Sequence, residues 1–226
     1  MVTAMDDTDL LPLFAWLSPS YPVGSYAYSH TLEWAVEVGD VRDEVTLRDW
    51  LIDFINFGAG RNDVILFANS YRAVEAADAA ALDEVHELAL ALSPSAELYL
   101  ETTQQGRSFL DATLAAWPSP QLHSMEGDVA FPVAVGMAAA AHRIPLGTAA
   151  QGFLFALVQT LVSAAIRLAP IGQTTGTRVV AALRGEVMRC AGACILLPLD
   201  AVGGATFRAD LGSFHHENQY TRIFRS

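Results

Sequence analysis

Between Arg143 and Arg167 the chain reads IPLGTAAQGFLFALVQTLVSAAI, residues 144–166, without one charged side chain. A run of that length crosses a bilayer if it faces lipid, so its reading decides between a membrane protein and a helical bundle. Pro145, Gly147, Gln151, Gly152, Gln159, Thr160 and Ser163 interrupt the apolarity, which favours a helix buried in a protein core. The expected architecture is all-α and soluble, with no membrane span, and with a core helix over Thr148–Leu168.

Its flanks fit that reading. Val129 to His142, with the helix-favouring run Ala138–Ala141, predicts a helix before it, and Thr174 to about Leu196 predicts one after it. Only Ile195–Leu199 has the character of a short strand. Toward the N-terminus, Leu10, Leu13, Phe14 and Leu17 have the spacing of one helical face; Pro12 is tolerated there in a first turn, and Ser18-Pro19 closes the segment. A second helix is expected from Ser25 to about Val38, with Gly39 as its C′ residue. Thr46 and Asp49 resemble a capping box opening a helix whose buried stripe is Leu47, Trp50, Leu51, Phe54 and Ile55. Further helices are expected over Asn62–Ala76, Asp78–Leu92 and Ser95–Trp117, each opened by a residue able to cap, and Pro118–Asp128 is a loop or hinge. With no repeat and no low-complexity linker, residues 1–226 form a single helical bundle of about eight to ten helices with a C-terminal tail, residues 200–226. That tail ends in Tyr220, Ile223 and Phe224 interleaved with Arg222 and Arg225. The mixture suits anchoring on a protein surface and equally suits a segment folded back on its own bundle.

The hydrophobic content is 52%, and 25 acidic against 13 basic side chains give a formal charge of −12. A chain so acidic lacks the cations that drive binding to nucleic acid. Every basic residue is arginine, which excludes a P-loop lysine, a Schiff-base lysine and a lysine general base. GxSxG, HExxH, CxxC and GxGxxG are all missing, so the chain reads as a non-enzyme without a cofactor. Two cysteines make no disulfide framework and no apolar leader opens the chain, which points to the cytoplasm. Cys190 and Cys194 share a helical face within reach of one soft metal ion, with His215 a possible further ligand, or else are two small core residues. His215-His216-Glu217 offers nitrogen and oxygen ligands but reads more simply as surface polarity. His30, His86, His123 and His142 are scattered, and Gln104, Gln105 and Arg107 fit a solvated helix face.

Three segments make a larger pattern: Leu17-Ser18-Pro19 through Tyr21-Pro22-Val23-Gly24-Ser25-Tyr26 to Ser29 and Leu32-Glu33; Arg167-Leu168-Ala169-Pro170-Ile171-Gly172-Gln173; and Glu217 to Ser226. Together, in this order, they resemble the urease accessory protein F family. The resemblance implies an all-α, commonly dimeric, chaperone-like protein. Such a protein joins an accessory protein of the D (or H) type and recruits the G-type GTPase that carries nickel to apo-urease, modulating that GTPase without hydrolysing nucleotide. The sequence departs from the family pattern at Thr31, where glycine is frequent, at Thr175 and Thr177, and at Asn218, where threonine is usual. Motif positions carried over residue by residue make Gly24, Ser25, Tyr26 and Glu33 one candidate partner-binding surface and Gln219, Tyr220, Arg222 and Arg225 another. No metal ligand is assigned. Gly24 alternatively serves a turn, Tyr26 is a half-buried aromatic, and the polar positions form a solvated face.

Overall fold

A computed structural model describes residues 9–168 and 171–226. Ala169 and Pro170 of the second motif lie outside the described residues. Among the described residues there are ten α-helices and no strand: α1 Leu11–Trp16, α2 Leu32–Glu37, α3 Glu44–Phe57, α4 Ala59–Glu75, α5 Ala79–Ala91, α6 Ala96–Ala116, α7 Phe131–Ala141, α8 Leu146–Leu168, α9 Gln173–Cys194 and α10 Phe207–His216.

The centre is α7, buried from Pro132 to Ala141, packed between α4 and α6. Its small side chains let the helices close in. A Cβ on Gly136 would lie 2.2 Å from the Ser70 Oγ and 2.5 Å from the Phe67 carbonyl oxygen, so only glycine fits where α4 and α7 cross. The decisive stretch forms α8, which packs chiefly on α9 and α4. Among the described residues α8 is the one helix long and apolar enough to cross a membrane, and its apolar side is explained by the bundle. Phe153, Leu154 and Val158 are fully buried, while Gln159 and Ser163 sit on the exposed side. Phe153 stacks on Phe67 of α4 and lies against Phe131 at the start of α7, tying three helices at one point.

Several boundaries match the sequence expectation. Asp78 and Ser95 cap α5 and α6 through the Ala81 and Leu98 amides. Gly39 closes α2 with φ +83°, its amide reaching the Val36 carbonyl while Asp40 reaches that of Ala35, the Schellman arrangement. The capping box is one turn earlier than expected: Asp43 is the N-cap and Thr46 is the reciprocal partner, because the Thr46 hydroxyl reaches back to the Asp43 amide at 3.1 Å. Helix α4 starts at Ala59, before Asn62, directly off Gly58.

One expectation fails in an informative way, and of the two readings of the tail the fold takes the second. The helix over Ser25–Val38 is broken: a 3-10 turn over Ser25–Ala27 is followed by extended Tyr28, then by His30 and Thr31 at φ 51° and 67°, before α2 begins. The tail is folded back. Residues 199–206 are strapped across the α3–α4 corner by hydrogen bonds from Arg61 to the Ala201 carbonyl, Gly203 to Asn62 and Ala205 to the Phe57 carbonyl. Helix α10 then packs on α2, with Gly212 under the Trp34 ring, and the last residues return to the break at 27–29. The Arg225 amide donates to the Ala27 carbonyl at 2.9 Å and the Ser29 amide to the Ser226 carbonyl at 3.1 Å. That pairing explains the break, since backbone groups given to the tail are withdrawn from a helix.

Candidate functional site

The polar centre of the molecule is the seat of its own C-terminal segment. Glu33, on the inward face of α2 and 5% exposed, accepts hydrogen bonds from the backbone amides of Ile223 at 2.7 Å and Phe224 at 2.9 Å. Its Oε2 also lies 3.1 Å from Nε2 of His216, whose Nδ1 is 2.6 Å from Glu97 on α6. The other oxygen of Glu97 holds Arg222. A fully buried imidazole between two carboxylates, closed by an arginine, forms one connected polar chain through α2, α10, α6 and the tail. Each carboxylate has partners enough to offset its desolvation. Beside it, Phe224 is buried and the Arg167 guanidinium lies 4.2 Å from its ring centre, a cation–π contact. The same guanidinium donates to the Tyr26 carbonyl at 2.5 Å.

The first candidate surface stands immediately next to this seat. Gly24 has φ +73°, a left-handed conformation that glycine adopts without strain, and the 3-10 turn that follows projects Tyr26 to 74% exposure. Tyr26 is thus an exposed aromatic and not a half-buried one. Thr31 occupies a left-handed position too, and its buried hydroxyl has no hydrogen-bond partner among the described residues. A β-branched residue there costs about 1–2 kcal/mol, the physical reason glycine suits this position.

The second candidate surface divides. Tyr220 is fully exposed and Ile223 is 58% exposed. Gln219 turns back, its amide donating to the Thr221 carbonyl. Arg222 is bound to Glu97, and Arg225 reaches Gln104 at 3.5 Å. Glu33 faces inward, so it acts on a surface only through the tail it holds. His216 corrects the surface reading of the His215-His216-Glu217 run: it is buried, while His215 stacks on Trp34 with planes 9° apart. Gln105 is likewise buried, not part of a solvated face. Sequence reasoning passed over Glu97, whose role depends on residues 119 and 125 positions away. It also passed over Phe207, Leu211 and Phe214, spaced four and three apart on α10 and exposed to 69%, 59% and 48%. Their spacing puts them on one exposed helix face, a local signal that was available.

Behind the tail lies a cleft of about 390 Å³ with aromatic walls, including Trp16, Phe131 and Phe153. Its polar lining includes His30, Asp63, Glu101, Asp210 and Arg167. His30 Nδ1 is 3.5 Å from Glu101. Burial works against a charged His30, but Glu101, with Asp63 and Asp210 beyond, holds its pKa above the ordinary value. Burial pushes Asp63 up to about 7, His30 opposing and Glu101 adding to the shift, and it raises Asp210 as well. No group of three or more His, Cys, Asp or Glu among the described residues is arranged to hold a metal ion. Cys190, Cys194 and His215 therefore do not assemble; both cysteines are in the core.

Fold and site define an all-α protein that folds around its own C-terminal segment and leaves aromatic side chains beside that segment in solvent. The UreF family model matches residues 41–184. The chain is 62% identical over 221 residues to the urease accessory protein UreF of Xanthobacter autotrophicus, covering 96% of this chain and 91% of that protein. It is 59% identical to that of Azorhizobium caulinodans, covering 96% and 95%, and 49% identical to that of Rhodopseudomonas palustris strain HaA2, covering 100% and 97%. The chain belongs to the UreF family of urease accessory proteins.

Proposed function

We propose that this protein works as a scaffold in urease maturation. It docks a D- or H-type accessory protein, recruits the G-type GTPase that brings nickel to apo-urease, and modulates that GTPase without hydrolysing nucleotide. It does so in the cytoplasm, as a homodimer. The observation that carries the reading is the joining of its two candidate surfaces: the Gly24–Tyr26 turn and the tail are hydrogen-bonded to each other at Ala27–Arg225 and Ser29–Ser226, with Arg167 touching both. Around that junction, Tyr26, Tyr220, Ile223 and the α10 stripe face solvent. Large exposed aromatics of this kind are the usual anchors of protein interfaces. In this reading the tail and α10 take the D/H-type partner and Tyr26 takes the GTPase.

Co-elution with each partner tests the division. Tyr220→Ala should weaken the D/H-type complex and Tyr26→Ala the GTPase complex, each by about 2 kcal/mol, the threshold of an interface hot spot. Both variants should melt as the parent does, because neither ring is packed inside the fold. Full binding of both partners by the double variant would sink the reading.

A further inference from the structure

Cys190 and Cys194 are both buried and form a close pair. They lie one turn apart at the end of α9, with sulfurs 3.6 Å from each other. Their surroundings are not purely apolar: Cys190 donates to the Ile55 carbonyl at 3.0 Å, and Arg61 and Arg189 act on both sulfurs. Helix α9 stops at Cys194, and the next turn carries Leu196 at 79% exposure, so the pair sits just beneath a surface turn.

We propose that Cys190 and Cys194 form a redox-modification site, a dithiol that hydrogen peroxide oxidises to an intrachain disulfide and that a dithiol reductant restores. The Cys194 thiolate attacks one peroxide oxygen and breaks the O–O bond, leaving a sulfenic acid on Cys194 and a hydroxide that takes up a proton to become water. Cys190 then loses its proton as its sulfur attacks the sulfenic sulfur, forming the S–S bond and releasing a second water. Two thiols and one peroxide yield one disulfide and two waters. The electrostatics assign the order of attack. The Cys190 S–H, shared between the Cys194 sulfur and the Ile55 carbonyl, together with Arg61 and Arg189, holds Cys194 below the ordinary thiol value against burial, whereas Cys190 is pushed up by that same contact with Cys194 and by burial. A thiol with pKa near ambient pH is the favoured attacker, and disulfides of the reducing cytosol are typically transient redox devices.

Closure has a mechanical consequence. Residues four apart on a helix hold their Cβ atoms roughly 5–6 Å apart, while a disulfide needs about 3.5–4.5 Å, so the last turn of α9 must tighten. The strain falls on the exit turn, whose Ile195 and Leu197 carbonyls are held by Arg72 and Asn69 of α4.

The test treats the full chain with millimolar hydrogen peroxide under native conditions. Both thiols should disappear together, with loss of the mass of two hydrogens, no chain-to-chain crosslink, full reversal by dithiothreitol, and faster amide exchange over residues 194–197. Serine variants, whose hydroxyl replaces the thiol at similar size, fix the mechanism: Cys190→Ser should accumulate a sulfenic acid trapped by dimedone, and Cys194→Ser about tenfold less. Two thiols that stay titratable, a disulfide only between chains, or stronger trapping in Cys194→Ser would each overturn the proposal.

Discussion

The crossing of α4, α7 and α8 and the seat of the C-terminal tail are both buried, yet they are held by opposite means. At the crossing, Phe67, Phe131 and Phe153 meet among alanines and glycine, and stability comes from packing without directional bonds. At the seat, Glu33, His216, Glu97 and Arg222 hold the tail through charged hydrogen bonds, with Phe224 as the single large apolar contribution. A packed core fails as a whole when one piece is removed. A polar seat at a chain end fails locally, because the tail departs while the bundle remains. This difference suits the proposed role, in which tail and turn would meet partners: the bundle stays rigid while the contact region is separately adjustable.

The largest expected effect breaks the core side of the comparison. Phe153→Ala should cost about 3–5 kcal/mol, the range for truncating a large buried aromatic, and should lower the denaturation midpoint of every helix together. A loss confined to residues 219–226 in hydrogen exchange would mean that the core and the seat are not separate units. Next comes the seat itself. Glu33→Ala leaves the Ile223 and Phe224 amides and the buried His216 without their acceptor, at a local cost of about 2–3 kcal/mol. The expected signature is fast exchange over residues 222–226 with a small change in global melting. Uniform destabilisation would instead place Glu33 in the core proper.

The comparison also explains what could be read from the chain. Helices α5 and α6 were legible because Asp78 and Ser95 cap locally and Pro94 punctuates between them. The apolar stretch at 144–166 was legible because its polar interruptions, Gln159 and Ser163, mark the solvent side of α8. Such features depend on neighbours three or four residues away. The break at 27–31 was not legible: it is fixed by Arg225 and Ser226, nearly the whole chain away, and no periodicity within Ser25–Val38 reports it. His216 was misread for the same reason, since its two carboxylates come from α2 and α6. Gly24 was legible as a turn, because glycine after Tyr21-Pro22-Val23 is a local statement about backbone, whereas Tyr26 was singled out only by the family motif. The inward role of Glu33 was not.

The smallest effect is a pH dependence that sharpens the contrast between an apolar core and a polar cleft. Asp63 keeps its proton in the folded protein up to about 7, whereas the unfolded value is 3.8. Between those values the native state binds more protons than the unfolded chain, so Asp63 makes stability fall as pH rises, from about pH 4 to pH 7, and adds no slope above. Asp63→Asn removes that slope while keeping shape and a hydrogen-bonding group. The charged groups acting on it are His30 and Glu101, and loss of the Asp63 charge also weakens the support for a protonated His30, which offsets part of the gain. Asp63 is only partly buried, so solvent screening reduces the rest. The variant should therefore be more stable than the parent by about 1–2 kcal/mol at pH 8, with the advantage shrinking toward pH 4. Parallel stability curves for the two proteins across that range would show that the cleft solvates Asp63 as fully as bulk water does.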